Sequence, residues 1–413
     1  MLHRQGTSSV GGRQQATSNA RVLETPIRGS SDAVPWDYAD NVGSGPAEAP
    51  SYGRFRAGAW DALRLLWDRS TLERVQKCRR VSLGPLIGLE RDGDRARYTG
   101  LTTCGSPWAC PLCSAKIAAG RADELTQAVE RWHELGNTVA LLTLTMRHQA
   151  GVSLASYWDA LSPAMAASVG GRYRRARAAK AAAGVEGYVA SREATHGTNG
   201  WHLHTHTLLF ISGHPDEAKT KELGEAIHAA WSARLVKEGL DAPSHRHGTD
   251  LRVLDLSQSR AEAACYLAKG VYESSRAAAE ITGAQGKDAR RGNRTPWAIL
   301  ADLVHHGRAR DLMLWREWEA TTHNRRAISW SVGMRDRLGL KEEQTDEDLA
   351  TEQPNPPQLV VTLTKDQWAL VRRRPRGPTE LLDAAEASQS LLEAQLICER
   401  LLRAWQALPR AGP

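Results

Sequence analysis

The chain predicts an α+β protein whose core spans about residues 135–340. Three observations carry that expectation. The run NTVALLTLTMRH (137–148) alternates and is rich in β-branched residues, as a half-buried strand is. GYVASREAT and WHLHTHTLLFI flank HGTNG, and Asn199-Gly200 is a turn dipeptide that joins such segments into a hairpin. Stretches at about 153–183, 216–238 and 294–338 carry helical periodicity and good helix formers.

In chain order, residues 1–50 are rich in Gly, Ser, Pro and Gln and are expected to form a disordered arm. A helix is expected from Trp60 to Cys78, with Leu63, Leu66 and Trp67 at helical spacing. A cysteine-bearing segment, Cys78 to Cys113, leads to a helix over 114–135 with Arg121, Glu124 and Arg131 on its wet face. Inside the core, TDLRVLDL (249–256) reads as a strand and 258–275 as a helix, and a short strand is expected at ISWSV. The acidic, proline-bearing run from Lys341 to Gln358 reads as a linker, followed by a strand and helices. The expected organisation is an arm (1–50), a helical and Cys-rich module (51–134), the core (135–340), an acidic linker (341–358) and a C-terminal appendage (359–413).

Of the 413 residues, 41% are hydrophobic and 24% charged, which suits a globular core, and the formal net charge of +7 suits a polyanionic partner or simple solubility. No apolar run reaches membrane-spanning length, and the first twenty residues lack the apolar stretch of a secretory signal. The six cysteines are clustered rather than spread as a disulfide framework, which points to a reduced compartment, the cytoplasm.

His202, His204 and His206 occupy every second position, so on a strand all three imidazoles share one face. Neighbours stand roughly 6.5–7 Å apart and can converge on one ion, whereas the outer pair, about 13 Å apart, cannot. One adjacent pair is the expected chelate. A reversal near Thr198 to Gly200 places Glu193 opposite His204 or His206, so a carboxylate and two imidazoles would leave positions open for substrate. The plainer alternative is a strand with exposed polar histidines.

On the predicted helix SRAEAACYLAKGVYE, Glu262, Tyr266 and Lys269 are spaced i, i+4, i+7 and share a face, while Tyr272 is turned away. A phenol near pKa 10 is a poor nucleophile until a cation favours the phenolate, which Lys269 can supply, and Glu262 can take a proton. Upstream, Cys110-Pro-Leu-Cys113, with Cys104 and Cys78, has the donor set of a closed structural Zn2+ site. A redox C-x-x-C is the rival, without a thioredoxin-like βαβ context around it. Cys265 and Cys398 read as small buried hydrophobes. Arginines in GRYRRARAAK (171–180) and RRRPR (372–376) could contact phosphates or merely be solvated.

The run G-W-H-L-H-T-H-T-L, with Glu193 seven residues before its first glycine, resembles the metal-binding motif of HUH endonucleases. Its three-histidine form resembles plasmid rolling-circle replication initiators of Gram-positive bacteria. LLTLTMRH (141–148) is similar to their first motif and EAACYLAK (262–269) to their nucleophile motif, while TPWAILADL (295–303) and ISWSVGMR (328–335) resemble actinobacterial members. The likeness covers about 100–340. It implies an antiparallel-sheet HUH core with flanking helices, preceded by the zinc-binding Cys module. It implies that Tyr266 attacks a phosphodiester and is joined to the 5′-phosphate, that Glu262 activates the water that ends the round, and that His204 and His206 hold Mg2+ or Mn2+. Thr205 stands where the family carries a bulky apolar residue, and His202-Leu203-His204 fits the short motif better, so the chelating pair stays open. The implied partners are plasmid double-strand origin DNA, nicked as a single strand, with host helicase and DNA polymerase. A relaxase or rolling-circle transposase shares the chemistry, but no G-x-x-x-x-G-K-[ST] is present. Readings of another class are a zinc-stabilised DNA-binding regulator and a small-molecule metallohydrolase.

Overall fold

In the computed structural model, residues 52–254, 293–351 and 357–408 are described. The described part begins with α1 (Tyr52–Arg69), which buries Trp60, Leu63, Leu66 and Trp67, and the short α2 (Glu73–Lys77). Strands β1 (Leu86–Asp92) and β2 (Arg95–Thr99) turn across Gly93, whose φ of +57° suits glycine. Then come α3 (Pro111–Glu134), β3 (Thr138–Thr145), α4 (Leu154–Ala167), α5 (Arg174–Ala182), β4 (Val185–Gly197), β5 (Gly200–Ile211), α6 (Glu217–Lys237), α7 (His245–Gly248) and β6 (Thr249–Val253). Beyond residue 292 follow α8 (Pro296–His306), α9 (Ala309–Thr322), β7 (Ile328–Trp330), α10 (Met334–Arg337), α11 (Asp346–Thr351), β8 (Gln358–Thr364), α12 (Lys365–Arg373), α13 (Gly377–Ala387) and α14 (Leu391–Ala407).

The fold is α+β, with antiparallel sheets and flanking helices. The larger sheet has the order β6-β3-β5-β4-β7, every neighbour antiparallel, so the histidine-bearing β5 lies at its centre. The β4–β5 hairpin closes at Gly197↔Gly200, and Gly200 takes a φ of +85°. Alternation then sorts the two faces. Odd positions of β5 (Trp201, Leu203, Thr205) are buried, and Met165 of α4 reaches Thr205. On the even face, Phe210 meets Trp132 of α3 edge-on at 5.8 Å. The three histidines continue that even face away from Phe210.

The smaller sheet, β2-β1-β8, joins the Cys-bearing region to the C-terminal segment. Its inner face packs Tyr98 against Trp60 and Trp368, with centroids 6.0 and 4.8 Å away. The sequence reading of 51–134 contained no strands. The missed signal was Asp92-Gly93 between two alternating runs, a hairpin dipeptide of the kind used for β4–β5. Arg121 is also a correction: its side chain is buried, not on a wet face, because α11 covers it. There Arg121 meets Asp346 at 3.0 Å and Glu124 at 3.3 Å. Leu349 and Ala350 of α11, inside the run read as a linker, are buried.

The predicted helix 60–78 breaks at Ser70-Thr71, and Glu319 on α9 explains the break. Its fully buried carboxylate accepts from Ser70 Oγ (2.6 Å), Thr71 N (3.0 Å) and Thr71 Oγ1 (3.1 Å). Glu319→Ala would strand three donors, so we expect a loss of about 3 kcal/mol in urea unfolding. A loss below about 0.5 kcal/mol would show that water replaces the carboxylate.

Candidate metal centre

The β4–β5 register sets Glu193 directly across from His204, while β3 sets Thr143 beside His206 and Thr145 beside His204. Glu193 Oε2 lies 2.7 Å from His204 Nε2 and 2.8 Å from His206 Nε2. These three donor atoms fall within 4.8 Å of one another. A divalent ion with bonds near 2.1 Å at right angles needs donors about 3.0 Å apart, so the trio fits one. Three protein donors leave further coordination positions for water or substrate. Thr143 Oγ1 stands 3.2 Å from His206 Nδ1 and orients that ring. His204 Nδ1 is buried without a hydrogen-bond partner among the described residues.

Electrostatics agree with a site prepared for a cation. Burial alone would raise the Glu193 carboxyl, but the charge of His204 and hydrogen bonds from both imidazoles hold it well below the usual range. Burial would lower His204, and Glu193 reverses that and raises it. An ion bound here takes the place of the proton shared within this group. Thr143→Val should weaken Mn2+ binding 10–100-fold while leaving the strand intact, as measured by metal titration. An unchanged affinity would mean that the hydroxyl does not orient His206.

His202 stands outside the trio. Its ring centroid is 5.5 Å from that of His204 and 4.8 Å from that of His148. Burial, then His204 and His148, push its pKa down to about 4, so it is neutral at pH 7. Of the two adjacent pairs left open by spacing, the structure brings His204 and His206 together with Glu193. His148, at the end of the LLTLTMRH run, was not singled out from sequence, because its approach to His202 depends on the β3–β5 pairing. Tyr266, Glu262 and Lys269, and with them Cys265 and Tyr272, lie outside the described residues.

The cysteines form a second group. Cys78 Sγ is 3.7 Å from both Cys110 and Cys113, and Cys104 Sγ is 3.6 Å from Cys113. A tetrahedral ion with sulfur bonds near 2.3 Å requires edges of about 3.8 Å, so the set fits a closed four-sulfur site. All four are buried. Hydrogen bonds from the other three pull the Cys113 thiol well down, while burial, then Cys104, pushes Cys110 up. A bound cation would favour the thiolate form across the set. Cys398 is a buried free thiol, as its isolation in the sequence suggested.

No helix among the described residues is long and apolar enough to cross a membrane. The family model described as "Replication protein" matches residues 96–365. The chain is 31% identical over 362 aligned residues to "Protein rep" of Streptomyces lividans, covering 73% of this chain and 79% of that one. It is 34% identical over 137 residues to "Neomycin resistance protein" of Streptomyces cyanogenus, covering 28% of this chain and 31% of that one. No solved structure matches. With β3, the β4–β5 hairpin, the Glu193–His204–His206 group and three of the four cysteines inside the matched span, the chain belongs to the replication protein family.

Proposed function

We propose that this protein initiates plasmid rolling-circle replication by nicking one DNA strand at the double-strand origin. The observation that carries the reading is the convergence of Glu193, His204 and His206 on one point of a central antiparallel strand. Family membership supports it. A Mg2+ or Mn2+ ion bound there would supply Lewis-acid stabilisation of phosphate charge. Glu193, His204 and His206 would hold it, and Thr143 would fix the His206 ring. Neutral His202, on the same face of β5, could donate or accept a hydrogen bond to the bound strand.

Tyr266 is assigned as nucleophile on its resemblance to the family motif. Its phenolic oxygen bonds to phosphorus as the P–O3′ bond breaks. The 3′-oxygen leaves and, with a proton, becomes the primer 3′-OH. Lys269 favours the phenolate and Glu262 later activates the water that closes the round. In this reading the core spans 135–340, the four-cysteine module holds Zn2+, 341–358 links to the C-terminal part, and the protein works in the cytoplasm with host helicase and polymerase.

The test offers a single-stranded origin oligonucleotide with Mn2+ and looks for a denaturant-resistant adduct. An adduct mapped to Tyr266 and lost in Tyr266→Phe is the expected result. No adduct, and no open circles from supercoiled plasmid, would overturn the reading in favour of a DNA-binding regulator.

A further inference from the structure

Folding gathers arginines from three separate segments onto one surface far from the histidines in sequence. Arg64 comes from α1, Arg80 follows Cys78, and Arg372, Arg373, Arg374 and Arg376 lie at the α12–α13 junction. The Arg64 guanidinium donates to the main-chain carbonyls of Arg374 (2.7 Å) and Arg373 (3.5 Å). Those acceptors carry no formal charge, so these contacts fix the side chain without neutralising it. Arg80 lies over the Trp67 ring at 5.8 Å and pairs with Asp68 at 3.0 Å. Arg374 lies over Trp405 at 4.9 Å.

Arg372 feels Arg80 and Arg373 against Asp68 alone, and burial followed by those two cations lowers its pKa. Asp61 faces Arg64 and Arg376. Asp68 and Asp61 are thus set against a cluster of six guanidinium groups, and such crowding of like charge is relieved by a polyanion. Planar guanidinium forks, three of them held by backbone, indole or carboxylate contacts, match phosphate oxygens. The exposed arginines of α5 differ, since all come from a single helix with its flanking turn.

We propose that this arginine surface holds the backbone phosphates of duplex DNA without reading sequence. It deepens the nickase reading, on which the choice of DNA as partner rests, by separating duplex holding from strand cleavage. Sequence alone offered only the RRRPR run. Arg64 and Arg80 join it through tertiary packing.

The experiment measures binding of the full zinc-loaded chain to a blunt duplex of arbitrary sequence by fluorescence anisotropy across a salt series. Arg80→Gln/Arg372→Gln/Arg373→Gln should reduce the slope of log K against log salt by about 3, close to one per phosphate contact. Adduct formation on the single-stranded oligonucleotide should be unchanged. An unaltered slope overturns the proposal. So does an equal drop in Arg174→Gln/Arg175→Gln/Arg177→Gln, which would reflect net charge alone. A slope that falls for an RNA duplex and not for DNA would assign the surface to RNA and also overturn it. If the triple variant melts early, Arg373→Gln alone, at an exposed position, should lower the slope by about 1. A fallen slope beside a wild type that forms no adduct would sink the nickase reading and leave the DNA-holding surface standing.

Discussion

His204→Ala is expected to cut strand nicking about a thousand-fold or more, equivalent to about 4 kcal/mol of transition-state stabilisation, without unfolding the sheet. The substitution removes one of three converging donors and also the neighbour that holds the Glu193 carboxyl down. Two donors on one strand pair bind a hard divalent ion weakly, so the loss should appear first in Mn2+ titration and then in cleavage. Because Glu193 raises His204, protons compete with metal here at a higher pH than for a free imidazole. The sign follows: metal affinity falls as pH drops through the raised His204 pKa and levels off above it. His202→Ala should be far milder, since His202 stands with His148 outside the trio. A His204→Ala protein that nicks within tenfold of its parent at equal Mn2+ would remove this centre from the chemistry.

Cys113→Ser should be the most damaging substitution for folding. Cys113 Sγ neighbours both Cys78 and Cys104, and hydrogen bonds from the other three cysteines pull its thiol well down. Replacing it opens the four-sulfur set, and structural zinc sites contribute their binding energy directly to folding. A loss of about 5 kcal/mol is expected at neutral pH, together with loss of the zinc proposed for this site. Strong chelation of the parent protein should reproduce the effect. The damage should spread beyond the module, because β1 and β2 share a sheet with β8 and Glu319 ties Ser70-Thr71 to α9. Zinc-free protein with an unchanged melting curve would contradict a structural role.

Much of the site was legible before any coordinates. Period-two spacing put three imidazoles on one face, and the Asn199-Gly200 turn put Glu193 opposite them, because hairpin register follows from turn position. The C-x-x-C with two upstream cysteines gave the second donor set in the same way. The β1–β2 hairpin is equally local, with Asp92-Gly93 at its turn between two short alternating runs.

What the sequence determined by itself is therefore local: which side chains share a strand face, where the chain reverses, and which cysteines lie close enough to share an ion. Only tertiary structure decided which histidine pair meets Glu193, that His202 leaves the trio for His148, that Arg121 is buried beneath α11, and that arginines from three segments form one surface. The physical reason is distance along the chain. Spacing and turn chemistry act over a few residues and place Glu193 opposite the histidines, but the convergence of one pair needs side-chain packing. The other three outcomes depend on strand order and helix packing between segments tens to hundreds of residues apart, which no local pattern encodes.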